Sequence, residues 1–298
     1  VGKMVGTVPI GPKSGAFELA GGQALAQASP LRISVDAAGR AAAFTEQFRG
    51  RLIGKAEKKE GLGSYTFNRA VGGKTVAVTV KNSGQAAHGP FLARLNDGAT
   101  VEQFMGAVQA AEGPMAALAM VTLLGGGQAA PGASQRVVYD LKPGNHIILD
   151  FGQGPPQVAS FTATANSGPA PAAPVAAVNV DLIDFQFTLP DQIKTGAQTW
   201  KIENKGSQWH EMMIVKLNEG VTVADLIAMM GQEGPPQGPP PYEQVAFWAP
   251  MGAGEKAWTT LDLPVGTYTV LCALPDFAST PPMSHAQHGM VRTLTVIE

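Results

Sequence analysis

Short runs in which hydrophobic and polar residues alternate dominate the second half of the chain. Because successive side chains of a strand point to opposite faces, each run predicts a half-buried β-strand. One segment, residues 222–230, instead has helical spacing behind a threonine, which predicts a short helix with Thr222 as its N-cap. The predicted strands are residues 180–187, 199–203, 211–217, 257–263, 266–271 and 291–297. Many short strands separated by turns indicate a β-sandwich.

The same pattern occurs earlier in the chain at a constant offset. His88 aligns with His210 when the chain is shifted by 122 residues. The other pairs at this offset include Asn82 with Asn204, Gly84 with Gly206, Leu95 with Leu217, Gly144 with Gly266 and Leu149 with Leu271. A constant offset across a segment of this length predicts a tandem duplication.

An Ala/Pro-rich stretch at residues 167–174 separates the two copies and suits a semi-rigid linker. We therefore predict an all-β protein of two tandem Greek-key β-sandwiches, each with a short helical insertion. The predicted organisation is an N-terminal extension of unclear structure at residues 1–60, a first domain at 61–167, a linker at 168–177 and a second domain at 178–298. Within the extension, residues 31–35 have a strand-like pattern.

Composition and charge narrow the range of partners. A net charge of -2 gives no electrostatic attraction to nucleic acid or to an anionic membrane surface. Hydrophobic residues make up 45% of the chain, which argues against intrinsic disorder, and no run is long enough to predict a transmembrane segment. The sequence starts at Val1, as expected if a leader peptide has been removed, so we predict a secreted, periplasmic or cell-surface protein.

Residues of metal-binding type lie near strand ends in the second copy. The single cysteine, Cys272, closes one predicted strand, and His210 precedes another. His285 and Met290 lie directly before the last strand. Each residue alone is commonly part of a core. Together they favour copper, because two histidines and a cysteine in a plane, with a long axial methionine, form the electron-transfer copper site.

A second histidine in the same loop, His288, is the second-choice ligand. Only Gly289 separates it from Met290, which is too short a spacing for both side chains to reach one metal ion. We therefore prefer His285. The predicted ligands of one copper ion are His210, Cys272, His285 and Met290.

In these motifs the chain resembles the cupredoxin family, which includes plastocyanin-like proteins and the copper domains of nitrite reductases. An Asn-x-Gly turn at residues 204–206 precedes the first histidine, as in that family. Gly266 and Tyr268 stand ahead of Cys272, and residues 285–290 have the His-x4-Met spacing of plastocyanin-like members.

The resemblance is close over residues 178–298 and in outline over 62–166. It implies two tandem cupredoxin-like domains, with one type-1-like copper in the second. It also implies electron transfer with a redox partner protein, so an electron carrier or binding module is expected rather than an enzyme. The loop of twelve residues between Cys272 and His285 is longer than is usual in the family, and must fold back to bring the two together.

The first copy lacks most of the ligand set. His88 is retained, but Asp150 stands at the position of Cys272, and residues 153–165 contain neither histidine nor methionine. A type-1 site is therefore not expected there, and His88 is predicted to be a packing or hydrogen-bonding residue. The five histidines of the chain are too few for a multicopper oxidase cluster in addition to this site: 88, 146, 210, 285 and 288.

Two other functions remain open. The chain could be a metal-free cupredoxin-like module that packs against neighbouring subunits in a larger assembly. It could instead carry or store copper through methionines, namely Met212, Met213, Met229, Met230 and Met283. The Pro-rich segment 229–242 is predicted to be an irregular loop that covers a sheet edge, or an arm that docks on a partner.

Overall fold

The computed structural model describes residues 6–9, 31–37, 54–56, 64–72, 75–82, 87–109, 114–150, 157–164, 172–232 and 238–298. The chain divides into two compact units, Val1–Pro174 and Val175–Glu298. Most of the predicted extension at 1–60, and residues 168–171 of the predicted linker, lie outside the described residues. Among the helices that are described, none combines the length and the apolar character that crossing a membrane requires.

The first unit is built mainly of strands that form two sheets. Its described elements are β1 (Gly6–Pro9), β2 (Leu31–Ala37), β3 (Gly54–Ala56), β4 (Ser64–Gly72), β5 (Thr75–Asn82), β6 (Phe91–Leu95), α1 (Val101–Gln109), α2 (Pro114–Leu118), β7 (Val121–Leu123), β8 (Ser134–Asp140), β9 (Gly144–Asp150) and β10 (Gln157–Thr164). Strands β1, β2, β5 and β8 pair in that order, all antiparallel. Strands β3, β4, β10, β9, β6 and β7 form the second sheet.

The second unit is also built mainly of strands that form two sheets. Its described elements are β11 (Val178–Ile183), β12 (Gln186–Thr188), β13 (Gln192–Lys194), β14 (Gly196–Asn204), β15 (His210–Leu217), α3 (Val223–Met230), β16 (Tyr242–Met251), β17 (Lys256–Leu263), β18 (Gly266–Leu271), β19 (Pro275–Asp276), β20 (Met283–Ser284) and β21 (Val291–Ile297). One sheet has the order β12-β11-β14-β17. The other has the order β13-β21-β18-β15-β16, and β19 pairs with β20 as a separate short hairpin.

Alternating residues of these strands form the core of the second unit. Trp200 and Ile202 of β14 are fully buried, as are Trp248 of β16 and Leu294 of β21. Their strands belong to both sheets, so the core lies between the two layers of a sandwich. The predicted all-β sandwich with short helices is confirmed.

The predicted helix is also confirmed. Helix α3 begins after Thr222, whose hydroxyl accepts the backbone N–H of Asp225, while the Asp225 carboxylate accepts the backbone N–H of Thr222. This reciprocal capping box satisfies donors that the first helical turn leaves unpaired.

One predicted strand, residues 180–187, is wrong. The segment is a hairpin in which β11 and β12 are antiparallel and Ile183 pairs with Gln186, which leaves Asp184 and Phe185 as a two-residue turn. Phe185 has φ 62, in the left-handed region that hairpin turns use. The hydrophobic alternation continues through the turn, and for that reason the pattern did not reveal it.

Strand β16 was not predicted. It lies next to β15 at the end of the strand order of its sheet, and it contains Pro250. A proline argues against a strand in general, but an edge strand tolerates it because one side of its backbone has no partner. The predicted loop at 229–242 therefore ends where this edge strand begins, while residues 233–237 of that loop lie outside the described residues.

The offset of 122 residues that relates the two sequence segments also relates their elements. Strands β9 and β18 begin at Gly144 and Gly266, and helices α1 and α3 begin at Val101 and Val223. The last strands, β10 and β21, begin at 157 and 291, and 291 − 157 = 134. The start of β21 is therefore twelve residues further from the start of β18 than the start of β10 is from the start of β9. The additional residues lie in the segment that contains His285 and Met290.

Candidate metal centre

Three elements bring the candidate ligands of the second unit together. His210 is the first residue of β15, and Cys272 follows the last residue of its neighbour β18. The long loop folds back through the β19–β20 hairpin, as the sequence requires. The backbone N–H of His285 then donates to Leu274 O at 2.8 Å, and that of Ala286 donates to Cys272 O at 2.8 Å.

The ligand atoms converge on one point inside the protein. His210 Nδ1 lies 3.1 Å from His285 Nδ1, and Cys272 Sγ lies 3.5 Å from His285 Nδ1. All three atoms lie within 4.8 Å of one another. The three residues are at most 1% exposed. Within the described part of the chain they are the one group of His, Cys, Asp and Glu side chains arranged to hold a metal ion.

Hydrogen bonds on the outer side of each ring decide which nitrogen faces inward as an acceptor. His210 Nε2 lies 2.9 Å from Asp184 Oδ1, and His285 Nε2 lies 3.1 Å from Gln208 Oε1. A carboxylate and an amide oxygen only accept, so these two contacts favour a proton on each Nε2 and a lone pair on each Nδ1. In that state two lone pairs face each other across 3.1 Å beside a buried thiol.

That arrangement fits a metal ion. Two lone pairs at this distance repel each other unless a cation lies between them. Imidazole nitrogens about 2.0 Å from one metal ion are held roughly 3.3 to 3.5 Å apart at tetrahedral to trigonal angles. The observed 3.1 Å is close to this spacing.

The protonation states of the isolated residues follow from burial. Burial lowers the pKa of His210, although the hydrogen bond that its ring makes to the Asp184 carboxylate opposes this shift. Burial, together with the neighbouring His210, lowers the pKa of His285 to about 4. Both rings are therefore neutral at physiological pH. Burial raises the pKa of Cys272 to about 12, so the thiol keeps its proton until a metal ion replaces it.

The two remaining candidates of the loop lie in different places. Met290 is fully buried, its N–H donates to His285 O at 2.8 Å, and its own carbonyl accepts the N–H of Cys272 at 3.2 Å. His288 is outside the three-residue group, and its Nε2 lies 3.3 Å from Asp276 Oδ2. The structure thus brings together His210, Cys272 and His285, and gives His288 a carboxylate partner of its own.

The Asn-x-Gly turn holds the loop ahead of His210 through the side chain of Asn204. The Asn204 amide donates to Gln208 O at 2.8 Å and to Met251 O at 2.7 Å, and its oxygen accepts the N–H of Gly206. Asn204 thus shapes the loop ahead of His210. The direct partner of the His210 ring is Asp184, which the sequence did not identify.

Asp184 accepts several hydrogen bonds at once. Desolvation raises the pKa of its carboxyl, but hydrogen bonds from the Ser207 hydroxyl and N–H, from His210 and from the Gln208 N–H outweigh that effect and hold the pKa well below its usual range. Asp184 is therefore ionised at physiological pH. A signal for it was present in the sequence: an aspartate interrupts a hydrophobic run where a strand was expected.

Glu211 is a second site residue that the sequence did not identify. Its N–H points to Cys272 Sγ at 3.5 Å, and its carboxylate accepts the N–H of Ala273 at 3.2 Å. Burial raises the pKa of Glu211 to about 7, although the hydrogen bond from Ala273 opposes this shift. Glu211 thus contacts both the sulfur of Cys272 and the backbone of the residue that follows it.

The surface next to His285 is slightly concave. The ring of Phe185 meets the ring of His285 edge-on with centroids 5.3 Å apart, and lies 4.7 Å from the ring of His288. A shallow depression of about 240 Å³ borders the centre; it is lined by Ser207, Gln208, Trp209, Leu274, Pro275, Phe277 and His285.

The first unit has the same frame with different chemistry. The Asn82 amide donates to Ala129 O, which matches the bond from Asn204 to Met251 at the offset of 122 residues. His88 Nδ1 lies 2.7 Å from Asp150 Oδ2, and both side chains are about 5% exposed or less. His88 is therefore confirmed as a hydrogen-bonding residue, and a hydrogen-bonded histidine and aspartate stand where the second unit has a histidine and a cysteine.

Comparisons with known proteins give likenesses to solved structures. No protein-family model and no curated protein matches the chain. Reduced auracyanin from Roseiflexus castenholzii is 23% identical over 40% of this chain and 95% of its own, with a TM-score of 0.29. Auracyanin A from Chloroflexus aurantiacus, a "blue" copper protein, is 19% identical over 40% of this chain and 96% of its own, with a TM-score of 0.29.

A multicopper oxidase from Campylobacter jejuni is 12% identical over 74% of this chain and 53% of its own, with a TM-score of 0.23. Likenesses of this size carry no argument about function. The described strands of the second unit form a β-sandwich that holds the three candidate ligands at one end of β15 and β18.

Proposed function

We propose that the second unit binds one copper ion through His210 Nδ1, Cys272 Sγ and His285 Nδ1, and that the protein transfers single electrons. The observation that carries this proposal is the convergence of two imidazole Nδ1 atoms, 3.1 Å apart, with the sulfur of a buried cysteine. Two histidines and one cysteine are the in-plane ligands of electron-transfer copper sites. Met290 is proposed as the weak axial ligand, because its backbone is hydrogen-bonded to both Cys272 and His285.

Copper, when bound, supplies a one-electron couple between Cu(I) and Cu(II). The protein's own residues hold the ligands in place before the metal arrives. Strands β15 and β18 are hydrogen-bonded neighbours, which sets the separation of His210 and Cys272. Burial of all three ligands excludes water and competing anions. Such a preorganised set needs little rearrangement when an electron enters or leaves.

A redox partner protein is proposed to dock at the depression beside His285. This surface is mainly apolar, and Phe277 on its rim is 60% exposed. The histidine beneath it would give the shortest path between the metal and the surface. We propose an extracytoplasmic location for this exchange, as the sequence led us to expect, and an electron carrier rather than an enzyme.

A metal-free interaction module is the second candidate. The buried pair of His88 and Asp150 favours it, because this pair shows how the same scaffold closes the same position without a metal. Titration of the full chain with Cu(II), followed by visible absorption, separates the two candidates. Electron transfer predicts an intense thiolate-to-copper band that saturates at one equivalent.

Matched variants assign that band. Cys272→Ser and His285→Gln should abolish it, while His288→Gln, in the same loop, should leave it intact. A colourless protein that takes up no stoichiometric copper would contradict the copper centre and favour the interaction module. Binding of several Cu(I) ions per chain, unchanged in Cys272→Ser, would instead indicate storage by methionines.

A further inference from the structure

The turn between β11 and β12 makes direct contact with the candidate centre. Asp184 Oδ1 lies 2.9 Å from His210 Nε2, on the side of the ring opposite the converging ligand atoms. The same carboxylate accepts the Ser207 N–H at 2.9 Å, the Ser207 hydroxyl at 2.6 Å and the Gln208 N–H at 3.1 Å. Four donors therefore fix its position in front of the ring.

Gly206 provides a second and independent observation. A Cβ at this position would lie 2.3 Å from Asp184 Oδ1 and 2.7 Å from His210 Nε2. The backbone thus passes directly over the contact between the carboxylate and the ring, and only glycine leaves room for it. The Asn-x-Gly turn and the Asp184 turn fit each other around this one hydrogen bond.

The first unit shows what happens when a carboxylate contacts the other ring nitrogen. Asp150 binds His88 at Nδ1, the nitrogen that corresponds to the metal-facing nitrogen of His210. That contact occupies the lone pair or proton of Nδ1. In the second unit the carboxylate contacts Nε2 instead, and Nδ1 remains available. The two units therefore differ in which ring nitrogen contacts a carboxylate, Nδ1 in the first and Nε2 in the second.

We propose that Asp184 is a positioning residue that holds His210 in the Nε2–H tautomer and biases the centre toward the oxidised metal. A carboxylate on the outer nitrogen makes the inner nitrogen a stronger donor. Its negative charge also stabilises a doubly charged ion more than a singly charged one. The bias in metal charge rests on the proposed copper function, whereas the tautomer does not depend on any metal.

The tautomer is tested first, on the metal-free full chain. Nitrogen-15 NMR of the assigned imidazoles should show His210 protonated at Nε2 in the wild type. Asp184→Ala should shift His210 to a mixture of tautomers. Asp181→Asn is the matched control, because Asp181 lies on β11, just before the Asp184 turn, but pairs with Lys205 at 2.8 Å rather than with the ring. An unchanged Nε2–H tautomer in Asp184→Ala would overturn the proposal.

The bias is tested on the copper-loaded chain. Asp184→Asn keeps the side-chain volume and removes the charge, so it guards against a failure to fold. It should lower the ratio of Cu(II) to Cu(I) affinity about tenfold, which corresponds to a reduction potential about 59 mV higher for a one-electron couple. A ratio equal to that of Asp181→Asn would overturn this part of the proposal.

Gly206→Ala keeps every charge but displaces the carboxylate from the ring, so it should shift the His210 tautomer as Asp184→Ala does and lower the affinity ratio as Asp184→Asn does. A Gly206→Ala protein that behaves as the wild type in both would contradict the geometry. If the wild type binds no copper, the proposed function fails while the NMR result still decides the role of Asp184. The two failures are therefore distinguishable.

Discussion

At the scale of single residues, the centre depends on protonation as much as on position. His210 and His285 each have an outer acceptor, Asp184 and Gln208, and these acceptors favour inner nitrogens that are free to bind a metal ion. The buried Cys272 supplies the one proton that a metal must displace. A centre of this kind is a set of ligands together with the hydrogen bonds that prepare them.

Glu211 is expected to stabilise the strand end that carries the cysteine. Glu211→Ala removes the acceptor of the partly buried Ala273 N–H, so it should lower the free energy of unfolding by about 1 kcal/mol. Glu211→Gln retains an acceptor oxygen and should cost much less. Urea unfolding of the metal-free protein, followed by tryptophan fluorescence, compares the two; equal losses would show that the hydrogen bond is unimportant.

His146 of the first unit gives a pH dependence with a defined sign. It is fully buried and stacks on Phe161 with centroids 5.2 Å apart. Burial lowers its pKa from 6.5 to about 4, so the unfolded chain takes up a proton before the folded unit does. The contribution of neutral His146 to the free energy of unfolding is fully present above pH 6.5. The free energy of unfolding should fall by up to about 3 kcal/mol as the pH drops toward 4.

Calorimetric unfolding between pH 4 and pH 7.5 measures this slope. His146→Phe keeps an aromatic ring against Phe161 and cannot be protonated, so the transition of the first unit should lose most of its dependence on pH in this range. A variant with the same slope as the wild type would show that other groups cause it.

The convergence of His210, Cys272 and His285 was predictable from sequence because their residue types are chemically distinctive and lie at strand ends. Their hydrogen-bond partners were not, since Asp184 and His210 are 26 residues apart and meet only after β11 has turned into β12. The sequence shows Gly206 as part of an Asn-x-Gly motif. The reason that a glycine is required there is the close contact between Asp184 and His210 beneath it, which is visible only in three dimensions.

At the scale of elements, the loop between β18 and β21 distinguishes the two units. The strands before it follow the offset of 122 residues, and its twelve additional residues carry the second histidine and the methionine. The strands themselves were well predicted because alternation reports a half-buried surface. The hairpin at Asp184 and the edge strand β16 were not predicted. A residue with positive φ and a proline within a strand are both tolerated only in particular surroundings, which the hydrophobic pattern does not report.

Shortening that loop should convert the second unit into a copy of the first. Replacing residues 273–290 with residues 151–156, together with Cys272→Asp, places an aspartate opposite His210 as Asp150 is placed opposite His88. We expect a folded unit with cooperative unfolding and no copper binding. Loss of cooperative unfolding would indicate that the long loop is needed for the fold itself and not only for the ligands.

At the scale of the whole molecule, the two units can be observed separately. All four tryptophans, at 200, 209, 248 and 258, belong to the second unit, so tryptophan fluorescence reports that unit alone. Copper that binds only the folded second unit should raise its unfolding midpoint. At a free concentration 100 times the Kd the gain is about 2.7 kcal/mol.

Calorimetry should show the transition of the first unit unchanged under the same conditions, because its His88 is already paired with Asp150. Equal shifts in both units would mean that copper binds elsewhere or that the units unfold together. Cys272→Ser is the control, and its fluorescence midpoint should not respond to copper.

X-ray absorption at the copper edge of the fully loaded chain tests the central claim most directly. The geometry of His210, Cys272 and His285 predicts a shell of one short copper–sulfur bond and two copper–nitrogen bonds. The sulfur contribution should disappear in Cys272→Ser and persist in His288→Gln. A shell of oxygen and nitrogen ligands only, identical in the wild type and in Cys272→Ser, would contradict the proposed centre.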